Sequence, residues 1–276
     1  MTIKRVLLPL ADHKGLQPLA EAALLLGRLQ QAQVRCLLVQ RAQLSIPFPG
    51  EYADPEAMRR IAEDARKERE HITKSAQELF QDVSKRFQRV ECEFSALEGN
   101  IVETVGHAAR LADISILDGA HYDNNAWLDL RDAAIFSSGR PVLILPRSGI
   151  EEAALDRIVI AWKETVQAAR AVAAAQPFLV NAKEVHLISV GETAEETISL
   201  QDVEQYLQLH YADVRSEVIP HAPGADVGRL LLDKAEGIGG LLVMGAYSRW
   251  RWREQIFGGV TEAVLHAART PVLMMH

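Results

Sequence analysis

Arg140-Pro-Val-Leu-Ile-Leu145 and Thr270-Pro-Val-Leu-Met-Met275 stand 130 positions apart and read alike. Two further pairs recur in the same order. Arg5-Val-Leu-Leu-Pro-Leu10 matches Arg157-Ile-Val-Ile-Ala-Trp162 at an offset of 152. Ile116-Leu-Asp-Gly119-Ala matches Val243-Met-Gly245-Ala, with 126 positions between the glycines. Three matches in one order mark an internal duplication. The fall in offset, 152 − 126 = 26, places the extra residues in the middle of the first half.

Each half alternates strand-like and helix-like stretches. Strands are expected near 4–10, 34–40, 89–94, 114–118 and 141–146, then near 157–162, 185–190, 215–219, 241–244 and 271–275. Several are unbroken Val/Ile/Leu runs, which suits parallel strands covered on both faces. Leu16–Gln31 and Thr165–Ala182 are Ala/Leu-rich and helical in pattern. Strands and helices in alternation predict an α/β fold of two doubly wound, five-stranded parallel sheets. The expected domains cover 1–147 and 156–276, joined by the polar linker Arg147-Ser-Gly-Ile-Glu-Glu-Ala-Ala-Leu155. The closing strands of the two halves are expected to pair, because a bare strand edge is a liability and pairing covers both.

The extra segment, 54–88, carries Asp54-Pro55 as a helix start. Met58, Ile61, Ala65, Ile72, Ala76, Leu79, Val83 and Phe87 follow at steps of three, four and seven. A long amphipathic helical insertion of some nine turns is expected, its charged face solvated and part of its apolar stripe free for a partner or dimer contact.

Composition narrows the function. The chain has 276 residues, is 48% hydrophobic and 24% charged, and has a mean hydropathy of −0.03, a globular balance. Thirty Lys+Arg against 37 Asp+Glu leave a net charge of −7, the wrong sign for non-specific nucleic-acid binding. No apolar run is long enough to span a membrane. The N-terminus enters a strand-like run without a signal-peptide cleavage pattern, so a cytoplasmic location is expected. Cys36 and Cys92 give neither a zinc site nor a disulfide scaffold and read as small core residues.

Several motifs are missing. The nine histidines show no His-x-x-x-His pair. There is no Gly-x-Ser-x-Gly elbow and no Gly-x-x-x-x-Gly-Lys-Ser/Thr loop, which removes the acyl hydrolase and P-loop readings. Gly224-Ala-Asp-Val-Gly228 reads as a strand-to-helix turn, with Asp226 near the helix start. Arg249, Arg251 and Arg253 alternate with Trp250 and Trp252; solvated arginines beside packed tryptophans are expected there.

The richest constellation runs from Leu241 to Thr261. A buried strand ends at Gly245, a loop follows, and Gly258-Gly259 opens the last helix, Val260 to Ala268. Ligands of open α/β sheets gather where strands end and helices begin. Free amides in the first turn of a helix favour an anion, and Thr261 adds a hydroxyl there. This reads as a phosphate cradle.

On these residues the chain resembles the universal stress protein family, one family domain per half. Tyr247, Phe257-Gly-Gly-Val-Thr261, Thr270-Pro-Val-Leu-Met-Met-His276, Val159-Ile-Ala-Trp-Lys163, Ala168-Ala-Arg-Ala-Val172 and Phe136-Ser-Ser-Gly-Arg-Pro-Val-Leu-Ile-Leu145 share in the likeness. The resemblance implies an adenine-nucleotide alpha hydrolase-like fold, a pseudo-dimer within one chain and, in some members, bound ATP. Nucleotide-binding members carry Gly, two residues, Gly, nine residues, Gly, then Ser or Thr. Gly245 and Gly258 match; Ser248 and Gly259 replace the middle glycine and the hydroxyl residue. Val260 and Thr261 continue the turn, while Ala161, Lys163 and Val190 complete the implied cofactor-binding set. Lys163 replaces an aspartate at the adenosine end, and the first half has Ala11 there with Asp12 one position late. Losing one charge-assisted hydrogen bond costs ~1.5–3 kcal/mol, and an anion at a helix start regains only ~0.3–2 kcal/mol.

A cytosolic stress-response factor with a weak ATP site in its second half is therefore expected, without dedicated catalysis. A non-nucleotide interaction module with both sites vestigial is the alternative. In the first half Asp132 stands thirteen positions after Gly119, where its carboxylate would repel phosphate, so no nucleotide is expected there.

Overall fold

The apolar runs become the strands of one sheet. The computed structural model describes residues 2–41, 55–119, 125–191, 194–211, 213–220, 225–246 and 259–276. The first half contributes β1 (Arg5–Leu10), β2 (Gln33–Arg41), β3 (Cys92–Gly99), β4 (Ile114–Asp118) and β5 (Val142–Leu145). The second contributes β6 (Arg157–Ala161), β7 (Glu184–Val190), β8 (Val214–Ile219), β9 (Leu241–Gly245) and β10 (Val272–Met275). The strand order is β3-β2-β1-β4-β5-β10-β9-β6-β7-β8. Read inward from either edge it is third, second, first, fourth, fifth.

Pairing is parallel throughout except at the centre. There β5 meets β10 antiparallel, with Val142, Leu143 and Ile144 opposite Met274, Leu273 and Val272. All six are at most 1% exposed. The expected pairing of the closing strands is thus the seam of a ten-stranded sheet.

Alternation along the strands feeds two cores. In β1, Val6, Leu8 and Leu10 face one side and Leu7 the other. The first side is covered by α1 (Leu16–Gln30), α2 (Pro55–Ser84), α5 (Val166–Leu179) and α6 (Ala194–Gln208). The second is covered by α3 (Ile101–Arg110), α4 (Asn125–Phe136), α7 (Val227–Ile238) and α8 (Gly259–Ala267). Among the described residues no helix is long and apolar enough to cross a membrane.

Three expectations shift. The third strand is displaced from 89–94 to Cys92–Gly99. Arg89 takes a left-handed φ of 75° in the turn before it, and the ladder starts only where the Val34 amide donates to the Glu91 carbonyl. The strand is a sheet edge, so Cys92 is exposed rather than part of the core; Cys36, in β2, is buried. The long helix spans 30 residues, about eight turns rather than nine, and Arg86 and Phe87 fall in the turns that end it. It is no added element. Helix α2 holds in the first half the place α6 holds in the second, at twice the length of its 15-residue counterpart. Asp54 lies outside the described residues.

The connection between halves is held down. Glu152–Asp156 forms a 3-10 turn, and Glu152 pairs with Arg28 of α1 at 2.8 Å.

Candidate functional site

Strands β6 and β9 lie side by side, with Ala161 opposite Met244. The chain leaving β6 enters α5 on one face, whereas the chain leaving β9 leads to α8 on the other. Such a divergence at the carboxyl ends of adjacent strands is the place where doubly wound sheets take ligands.

On the β6 side, Ala161 is half-buried and the Trp162 amide donates to the Ile188 carbonyl at 2.7 Å. Lys163 follows, exposed and in no ion pair with a described residue. Thr165 then caps α5, its hydroxyl accepting from the Ala168 amide at 3.2 Å. Val190 ends β7 one strand further out, opposite Ile219. Ala161, Lys163, Val190 and Gly245 are thus brought to one edge of the sheet.

Gly245 has a reason of its own to be glycine. A Cβ there would stand 2.7 Å from both the Ala168 nitrogen and the Gln167 carbonyl carbon. The hydrogen atom lets the first turn of α5 rest on the end of β9; the close approach is made by the protein's own backbone. Gly245→Ala is expected to destabilise the ligand-free protein by ~1–3 kcal/mol in urea denaturation, since backbone must move to admit the methyl group. Unchanged stability together with lost ligand binding would assign this glycine to a ligand instead.

The α8 turn begins at exposed Gly259, where an added Cβ would meet nothing within 4 Å. Val260 is half-buried, its carbonyl packed on α7 where Gly228 leaves room. Asp226 caps α7 as the sequence suggests, accepting from the Arg229 amide at 3.1 Å. Thr261 is 5% exposed. Ser248, Gly258 and the Arg249–Arg253 stretch lie outside the described residues, so the middle of the expected cradle has no described geometry.

Sequence reasoning passed over Arg131. Aligned on Pro141 and Pro271, Arg131 and Asp132 hold the places of Thr261 and Glu262. The Arg131 guanidinium is 2% exposed and donates to Asp132 at 2.8 Å. It also reaches Glu262 of the other half at 3.4 Å and lies over the Trp127 ring at 5.6 Å. Asp132 therefore does not stand as a bare repelling carboxylate; it belongs to an ion pair that ties α4 to the start of α8. Burial pushes the Glu262 carboxyl up to about 6. An arginine amid the mostly apolar run Ala126–Phe136, beside Asp129 and Asp132, was the available signal.

No protein-family model matches the chain, and no curated protein matches it. Solved structures do. A universal stress protein from Archaeoglobus fulgidus superposes with a TM-score of 0.67 at 18% identity, covering 98% of this chain and 97% of that one. A putative universal stress protein from Pseudomonas aeruginosa gives 0.56 at 17%, covering 99% and 93%. The cytoplasmic domain of a prokaryotic cation chloride cotransporter gives 0.54 at 12%, covering 99% and 95%. End to end, this chain has the fold of a tandem universal stress protein.

Proposed function

We propose that the protein is a stress-response factor that binds, rather than turns over, an adenine nucleotide, and binds it weakly in its second half. The observation that carries this reading is the divergence of the chain at the ends of β6 and β9, with Lys163 exposed just after β6 and in no ion pair with a described residue. A triphosphate needs such a charge. The matching place after β1 differs: Ala11 stands there, and the carboxylate of Asp12, one position late, accepts from the Lys14 amide at 2.9 Å and stands 3.2 Å from His13. Glu164, the acid next to Lys163 in sequence, lines a groove between α5 and α6.

Calorimetric titration of the whole chain tests this. ATP is expected to bind at high micromolar to millimolar concentration, adenosine more weakly. Lys163→Glu is expected to weaken ATP roughly 10–100-fold, the worth of one charge-assisted contact, while leaving adenosine unchanged. Equal affinity of wild type and variant for ATP, or no ATP binding at all, would transfer the case to an interaction module. The structural likeness to a cotransporter's cytoplasmic domain shows the fold at work inside a larger assembly.

A further inference from the structure

The two halves depart from their shared plan between the helices that cover the first core. Helix α1 runs closely along α2, whereas α5 and α6 scarcely touch. The gap between them is a groove of about 640 Å³. Trp162 forms its inner end and spans the gap, its indole N–H donating to the Ser199 hydroxyl of α6 at 3.0 Å. Val172 and Val203 form the walls. Ile198 and Tyr206 line it from α6 yet remain 58% and 53% exposed, while Leu200 and Leu207 of the same helix are buried in the core.

The charged side chains that line the groove have one sign, although Lys163 stands exposed between lining residues Trp162 and Glu164. Glu164 and Asp202 stand on the groove, and among the described residues no Lys, Arg or His lines it. Neither carboxylate takes part in an ion pair with a described residue, although Arg215 and Glu217 of the neighbouring β8 have partners. Arg170, next to lining residue Ala169, is turned away and donates to the His276 carbonyl at 3.2 Å.

We propose that this groove binds a small organic cation with an apolar body, an alkylammonium or arylalkylamine. The volume lies within the ~300–1,000 Å³ of small-molecule sites and is too small for a docked helix several turns long. An alkyl or aryl body would cover Ile198, Val172 and Val203. The cationic head would rest by the indole of Trp162 or the phenol of Tyr206, whose faces attract cations. Glu164 and Asp202 supply the missing counter-charge and would repel a nucleotide, which keeps this site separate from the ends of β6 and β9.

The test uses three eight-carbon probes below their micelle concentrations: octyltrimethylammonium, octanol and octyl sulfate, each titrated calorimetrically into the whole chain. Octyltrimethylammonium is expected to bind at least about tenfold more tightly than octanol, and octyl sulfate not to bind. The double variant E164Q/D202N is expected to lose about tenfold for the cation at unchanged thermal stability, because both side chains are solvent-facing. Ala173→Trp, an exposed position lining the groove, is expected to abolish binding at unchanged circular dichroism. Equal binding of octanol and the cation would overturn the proposal, as would undiminished cation binding by E164Q/D202N. Binding of a cationic amphipathic peptide but not of octyltrimethylammonium would overturn it too, in favour of a protein partner.

Discussion

Leu273→Asp is expected to leave no cooperatively folded protein. Leu273 faces Leu143 across the antiparallel centre of the sheet, and neither side chain is more than 1% exposed. The core behind it gathers strands of both halves, from Leu8 and Ile116 to Ile158 and Val243. A carboxylate placed there has no partner and no water, and must either ionise in an apolar interior or bind a proton and leave its hydroxyl unsatisfied. The cost exceeds ~4–5 kcal/mol, comparable to the whole stability of ~5–15 kcal/mol that a domain commands. Leu273→Met, which conserves volume, is expected to cost less than ~1.5 kcal/mol and serves as control. Soluble yield, circular dichroism and urea denaturation read the difference. Two separately folded halves, each with native-like melting, would instead show that the seam joins finished units.

The same seam explains what the sequence made legible. Runs such as Val6–Leu8, Leu241–Met244 and Val142–Leu145 are buried on both faces, so every residue in them is apolar and the run announces itself. The duplication then dictated a repeated topology, and the need to cover two edges dictated where the halves meet. Edge strand β3 announces itself poorly: Cys92–Gly99 is exposed at five of its eight positions, and its polar residues blur the boundary. Helix α2 was legible by its period, but its equivalence with α6 was not, because length is no guide to topology. The candidate site divides in the same way. The divergence after β6 and β9 follows from strand order, which the repeat fixes. Gly245 was legible as glycine but not in its purpose, since the neighbour that excludes a Cβ, Gln167–Ala168, is distant in sequence. Arg131 pairs with a carboxylate 131 positions away, a contact no local pattern foretells.

That arginine carries the second large effect. Arg131→Ala is expected to destabilise the chain by ~3–5 kcal/mol, because it removes the guanidinium from between Asp132 and the mostly buried Glu262. Glu262, 16% exposed, bears most of this; Asp132, 44% exposed, turns to water. Arg131→Met in an Asp132→Asn, Glu262→Gln background is expected to recover much of the loss, since an apolar replacement of the whole cluster needs no countercharge. The pH dependence supplies an independent reading. Burial holds the Glu262 carboxyl at about 6 against an ordinary value of 4.5, so the folded state keeps its proton longer than the unfolded chain does. The stability this provides is full below about 4.5 and is lost as pH rises through about 6. Glu262→Gln is therefore expected to gain roughly 1 kcal/mol on the wild type at pH 8 relative to pH 4. In Arg131→Ala the carboxylate loses a cation, its proton is held more tightly still, and the fall in stability with pH steepens. A flat pH profile in both backgrounds would mean that Glu262 is hydrated and that Arg131 does not hold it. Because Glu262 follows Thr261 in the first turn of α8, the same cluster sets the footing of that turn, and a second-half ligand resting there would feel a substitution made in the first.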